Sequence, residues 1–179
     1  PMTFRHIKDG TPLPSFINGE GRPNSQSHSA GEIWCNTLWK ALVLLVQEHG
    51  ATEGTRRMRE YLVMALKMMP EDQSYLEARD AFLGVSAIDV VDYLHFWDAF
   101  SGMGMGIDAQ SGDKMDEGNQ GVQESFSSSG RWVGREVLVE EDTISCDHDG
   151  ILDIGERGLI TIIGQNLGGD DLSLIHISE

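Results

Sequence analysis

The feature that most constrains this chain is residues 28–50, HSAGEIWCNTLWKALVLLVQEHG, a long and strongly apolar helical segment that ends on glycine. Trp34, Leu38, Ala41 and Leu45 fall on one helical stripe with Leu42 and Val46 beside it, and the polar positions are few: Glu32, Asn36, Lys40, Gln47 and Glu48. A helix from about Ala30 to His49 with so broad an apolar arc is predicted to bury most of its circumference, so it needs packing partners on several sides. Gly50 is a natural stop, because glycine tolerates the left-handed conformation that ends helices. The longest apolar run, Ala41–Val46, falls far short of the roughly twenty residues that cross a bilayer, so no membrane span is expected.

Partners for this helix follow in the sequence. Thr55–Met69 carries Met58, Tyr61, Leu62, Ala65, Leu66 and Met69 at helical spacing and runs into Pro70, which ends it. The methionines at 58, 64, 68 and 69 are read as core rather than as a binding surface. A third helix begins near Asp72 or Ser74, either of which can cap it, and presents Leu76, Ala78, Phe82 and Leu83. A fourth, about Ala87–Phe100, has Val90, Val91, Leu94, Trp97 and Phe100 on its apolar face and stops at Ser101-Gly102. Short connections between them favour antiparallel packing into a bundle. Residues 1–27 read as loop.

The texture then changes. Gly102–Gly130 is rich in Gly, Ser, Gln and Asp and reads as a linker or long loop. Trp132–Val139 and Leu159–Ile163 are β-branched runs bounded by glycines, the pattern of the opening strands of a β-sandwich. The expected organisation is a mainly α chain: a helical part over 1–108, a linker over 109–130, and a truncated β-sandwich-like accessory segment over 131–171. Residues 172–179, LSLIHISE, alternate like a strand but resemble translated sequencing-adapter sequence and are read as artefact. The start at Pro1 is read as internal to a longer protein.

Charge narrows the function classes. Twenty-nine acidic against 13 basic residues give a net charge of −16, which repels phosphate backbones and argues against nucleic acid as a partner. Hydrophobic residues make up 40% and prolines number only 5, the texture of a globular rather than a disordered chain. Two cysteines, Cys35 and Cys146, do not make a disulfide framework. Cys35, on the apolar helix, is read as a small core residue.

Four separated pieces, in order, carry a family resemblance. PMTF is similar to N-P-x-T-Y. HSAGEIWCNTLWKAL is similar to H-x-x-G-x-x-W-x-x-x-L-W/Y-x-x-L. YLVMALKMMPEDQSYLEARDAFL is similar to V-x-x-G-L-x-L-x-P…F-x-x-A-R-D-A-I-L. HFWDAFSGMGMG is similar to I-W-x-A-F-x-x-R-G-L/M-G. Together, over residues 1 to about 108, they resemble the fungalysin family of secreted zinc endopeptidases. Departures are Ser29-Ala30 in place of Ala-Ile, Ser27 where an apolar residue is common, and Ser101-Gly102 without the basic residue before the glycine. The resemblance implies the C-terminal helical subdomain of a thermolysin/fungalysin-like metallopeptidase, secreted and extracellular, acting on a protein or peptide substrate. H-E-x-x-H does not occur in the chain, so the resemblance places the zinc ligands upstream of Pro1, in the N-terminal half of the catalytic domain, with which this part would pair. The alternative function is a non-catalytic helical interaction module carrying an adhesive β-domain.

His28 is the candidate catalytic residue. Attack of zinc-activated water on a peptide carbonyl builds charge on oxygen, and an imidazole N–H can donate to that oxyanion. A carboxylate partner for the ring is expected, and Glu20 and Glu32 are the nearest acids in sequence. Glu32 itself is expected in the first helical turn, where a carboxylate complements the helix dipole. Arg79 and Asp80 read as an interior ion pair joining helices. In CDHDGILDIGE, Asp147, Asp149, Asp153 and Glu156 alternate around two glycines, an oxygen-rich arrangement suited to calcium although not an EF-hand; the plainer reading is a polar turn between strands. His6, His49, His95 and His148 show no metal-ligand spacing. GMGMG follows a helix and precedes none, so it lacks the context of a dinucleotide-binding loop.

Overall fold

The computed structural model describes residues 2–14, 22–128, 132–144 and 157–166. The chain divides into two compact units, Pro1–Ser128 and Ser129–Glu179. The first is helical: a short 3₁₀ turn (Phe4–Ile7), then α1 (Ser27–Met68), α2 (Tyr75–Ser86) and α3 (Val90–Ser101). In the second, β1 (Trp132–Ile144) pairs antiparallel with β2 (Arg157–Asn166), with Val139 opposite Ile160 and register shifts between Gly134 and Glu136 and between Glu141 and Ile144. The description is mainly α, as the apolar periodicity predicts.

The first two expected helices are one interrupted element. Gly50, at φ 80° and ψ 164°, breaks α1 into two arms without an intervening loop. The second arm returns close to the first at Gly54, where a Cβ would meet the Leu45 carbonyl oxygen at 2.6 Å and the Val46 Cα at 2.7 Å. Only glycine permits that approach. Past the second arm, Met69 adopts the extended backbone (φ −64°, ψ 136°) that a following proline imposes, and the helix ends there.

Short-range signals fix the other helix starts. Ser74, not Asp72, caps α2: its hydroxyl accepts from the Glu77 N–H at 3.2 Å while Glu77 accepts from the Ser74 N–H at 2.8 Å, a reciprocal capping box. Asp89 caps α3 through the Val91 and Asp92 N–H groups, so α3 begins three residues later than its apolar pattern suggests.

The core is aromatic. Phe82, Phe96 and Phe100 are fully buried and meet one another at centroid separations of 5.5–6.3 Å. Trp34 of α1 leans on Phe82 and Phe100, and Tyr61 meets Phe96 edge-on at 5.5 Å. The buried stripe of α1 is Ala30, Ile33, Thr37, Ala41 and Leu45 in the first arm and Met58, Tyr61 and Ala65 in the second. The expectation that most of the first helix's circumference is buried does not hold here, since Trp39 is 64% exposed and Val43 is also at the surface. Cys35 is likewise a free, exposed thiol rather than a core residue. It points away from the stripe that Ile33 and Thr37 define.

Composition marks residues 109–130 as a linker, yet within the first unit residues 109–128 are laid back against the N-terminal loop. Gly106 and Ile107 donate to the carbonyls of Ser125 and Ser127, Gln110 and Gln123 pair through both backbone groups, and Asp9 donates to the Gly118 carbonyl. Arg5 N–H donates to Glu124 at 2.9 Å, Asn119 reaches the Ile7 carbonyl, and Val122 is buried. Few side chains pack, but backbone groups are paired, which composition does not report.

Candidate functional site

The candidate site lies at the N-terminus of α1, and the residues before it are tethered. Asn24 donates to the carbonyls of Lys8 and Thr11 at 3.0 and 2.8 Å, and Ser25 bonds through both N–H and hydroxyl to the Asp9 carboxylate. These bonds hold the loop that delivers His28, and the helix starts at Ser27, three residues ahead of expectation. Glu32 therefore falls outside the first turn, which contains no acid. The cap is Gln26, whose side-chain oxygen accepts from the N–H groups of His28 at 3.0 Å and Ser29 at 3.4 Å.

His28 is exposed in the first turn. Its Nδ1 lies 2.8 Å from the Gln26 Nε2. Its partner among the described residues is thus an amide, not the carboxylate that sequence reasoning calls for; Glu32 is exposed and Glu20 lies outside the described residues. Gln26 is the residue sequence reasoning missed. Glutamine is a weak helix-cap signal beside Ser, Thr, Asp and Asn, and only its position two residues before His28 points to it.

Three residues beyond His28, Gly31 opens an apolar cleft of about 320 Å³ whose walls include Trp34, Leu62, Leu66, Tyr75 and Phe82. Residues three apart on a helix are neighbours on its surface, so the imidazole and an apolar hollow lie side by side.

A second polar cluster lies in the interior. Asp92, fully buried, accepts from Nε2 of His49 at 2.6 Å, from Nη1 of Arg57 at 2.7 Å and from the Tyr61 hydroxyl at 2.7 Å. Arg57 also bonds to Asp89 at 2.7 Å. Burial, and then the bond to Asp92, push the Tyr61 phenol above its usual range; the bonds to Asp92 and Asp89 push the Arg57 guanidinium up. Every partner belongs to the fold and the carboxylate is closed to solvent, so this cluster ties both arms of α1 to α3.

Arg79 is also structural. It is buried, donates to the carbonyls of Met105 at 3.1 Å and Gly106 at 2.7 Å, and lies 5.5 Å over the Trp97 ring. Its carboxylate partner is the adjacent Asp80, whose side chain is exposed, so Arg79 fastens the GMGMG segment rather than forming an interior ion pair between helices.

Among the described residues no three His, Cys, Asp or Glu side chains are grouped to hold a metal, so these residues do not fit a zinc site of their own. The calcium candidates Asp147, Asp149, Asp153 and Glu156, with Cys146 and His148, lie outside the described residues. No helix among those residues is long and apolar enough to cross a membrane.

The family model described as fungalysin metallopeptidase (M36) matches residues 8–109, and the chain belongs to that family. It is 25% identical over 121 residues to extracellular metalloproteinase 5 of Arthroderma gypseum, covering 59% of this chain and 19% of that protein. It is 26% identical over 113 residues to extracellular metalloproteinase 5 of Trichophyton rubrum, covering 55% and 18%. It is 27% identical over 101 residues to extracellular metalloproteinase 1 of Trichophyton equinum, covering 48% and 16%. The chain spans less than a fifth of the length of these relatives.

Proposed function

We propose that this chain is the C-terminal helical part of the catalytic domain of a secreted, zinc-dependent metalloendopeptidase that hydrolyses protein or peptide substrates outside the cell. Family membership supports the peptidase reading, and the likeness to extracellular metalloproteinases supports export. We assign the zinc ligands to the N-terminal half of that domain, upstream of Pro1, because H-E-x-x-H is absent from the sequence. Zinc, where bound, supplies an activated water for attack on the peptide carbonyl. The contribution of this chain is a donor: the His28 ring hydrogen-bonds the oxygen on which charge accumulates, a stabilisation absent from the ground state. The adjoining cleft offers an apolar wall beside that donor.

The observation that carries this reading is the exposed imidazole at the capped start of α1, inside the segment the family model matches. In the longer enzyme, His28→Ala is expected to lower kcat about a hundredfold or more with zinc content intact, the cost of one lost oxyanion donor. An unchanged kcat, or loss of zinc, would remove His28 from the reaction.

A further inference from the structure

Gln26 does two things at once, and the combination decides where the His28 ring carries its proton. The amide oxygen is committed, since it accepts from the N–H groups of both His28 and Ser29. An oxygen facing two backbone donors fixes the orientation of the whole amide, and its nitrogen is the atom that lies 2.8 Å from His28 Nδ1. An amide nitrogen can only donate. Nδ1 must therefore accept, and a neutral imidazole that accepts at Nδ1 carries its hydrogen on Nε2. Among the described residues nothing hydrogen-bonds to Nε2, and His28 is exposed.

We propose that Gln26 is a positioning residue that holds His28 as the neutral Nε2–H tautomer, so that a fixed N–H donor faces outward from the head of α1 toward a substrate oxygen. The inference rests on the oxyanion role proposed for His28 and adds the residue through which that role is set. A carboxylate partner would act differently, because it would draw a proton onto Nδ1. The amide gives a donor at Nε2 without a charged ring.

The test separates this inference from the reading beneath it. Long-range proton–nitrogen correlation spectra of the 179-residue chain distinguish the two ring tautomers, with the His28 signal identified by its loss in His28→Gln. The wild-type ring, at a pH where the spectra show it neutral, is expected in the Nε2–H form. Gln26→Glu keeps an oxygen for both backbone N–H groups, so the helix start is preserved, but it replaces the donor with an acceptor and should move the proton to Nδ1. Gln26→Ser retains a capping oxygen without the donor and should give a mixture. A wild-type Nδ1–H ring, or an unchanged ring in Gln26→Glu, would overturn the proposal whatever the enzyme does.

In the longer enzyme at the same pH, Gln26→Glu should lower kcat toward the His28→Ala level, about a hundredfold, with KM little changed. In the His28→Ala background the same change should have no further effect, as for residues acting through one another. A full additional loss in that background would also overturn the proposal. If His28→Ala alone leaves kcat unchanged, the oxyanion reading has failed, while the spectra still decide what Gln26 does to the ring.

Discussion

Asp92 shows how much of this fold depends on one side chain. A fully buried carboxylate is tolerated only when its lone pairs are filled, and here an imidazole, a guanidinium and a phenol fill them. Asp92→Leu should cost about 2–4 kcal/mol, because it leaves the buried Tyr61 hydroxyl and the His49 ring without their acceptor, while Arg57 keeps Asp89 and Glu53. Adding Tyr61→Phe to that variant should return part of the loss, since the stranded buried hydroxyl is then removed. Urea unfolding followed by helical circular dichroism checks both, and simple additivity of the two substitutions would contradict the account. The apolar pattern of α3 places Val90, Val91, Leu94, Trp97 and Phe100 inside. The structure buries Trp97 and Phe100 as that pattern expects, but it also turns Asp92, Tyr93 and Phe96 inward and leaves Val91 exposed. No local pattern announces a buried aspartate whose partners lie 31 to 43 residues away.

At the scale of elements, two glycines of α1 carry opposite predictions. Gly54 sits where the arms cross and a Cβ would strike the Leu45 backbone at 2.6 Å. Backbone cannot step aside as a flexible side chain can, so Gly54→Ala should destabilise by about 1–3 kcal/mol. At Gly31 a Cβ meets nothing within 4 Å, and the backbone is ordinary helix. Gly31→Ala should therefore stabilise by about 0.5–1 kcal/mol through helix propensity. Thermal melts of the two variants should move in opposite directions; a shared direction would refute the argument from close approach. The same element shows what is legible in sequence. Its arms, its break at Gly50 and its end before Pro70 are written in spacing and in residues with special backbone chemistry. Its first turn is not, because the cap is glutamine and the bonds that hold it come from Asp9 and Asn24. Periodicity finds the helices; the exposure of Cys35 and Trp39 depends on what surrounds them, which periodicity does not contain.

At the scale of the whole first unit, the helices are joined to the returning segment by few contacts, and one of them is acid-sensitive. Glu77 of α2 pairs with Lys114 at 2.6 Å, and this bond, together with those from Ser74, draws its carboxyl down from 4.5 to about 2. Between those values the unfolded chain binds a proton that the folded chain refuses, so the stability this group contributes is full above pH 4.5 and is lost as pH falls through about 2. The pair is exposed, so the effect is modest and screened by salt. Melting temperature followed from pH 6 to pH 2 should flatten within that window in Glu77→Gln; an identical acid slope in wild type and variant would dismiss the pair. The returning segment also sets how the unit bears load. Residues near its two ends are buckled together: Phe4 bonds to Met103, Arg5 to Glu124, and Asp9 to Gly118. A pull applied between the N-terminal loop and the chain beyond Ser128 meets this buckle before any helix. Tension arriving along the polypeptide would be spent first on opening these hydrogen bonds, before it reaches the body of α1.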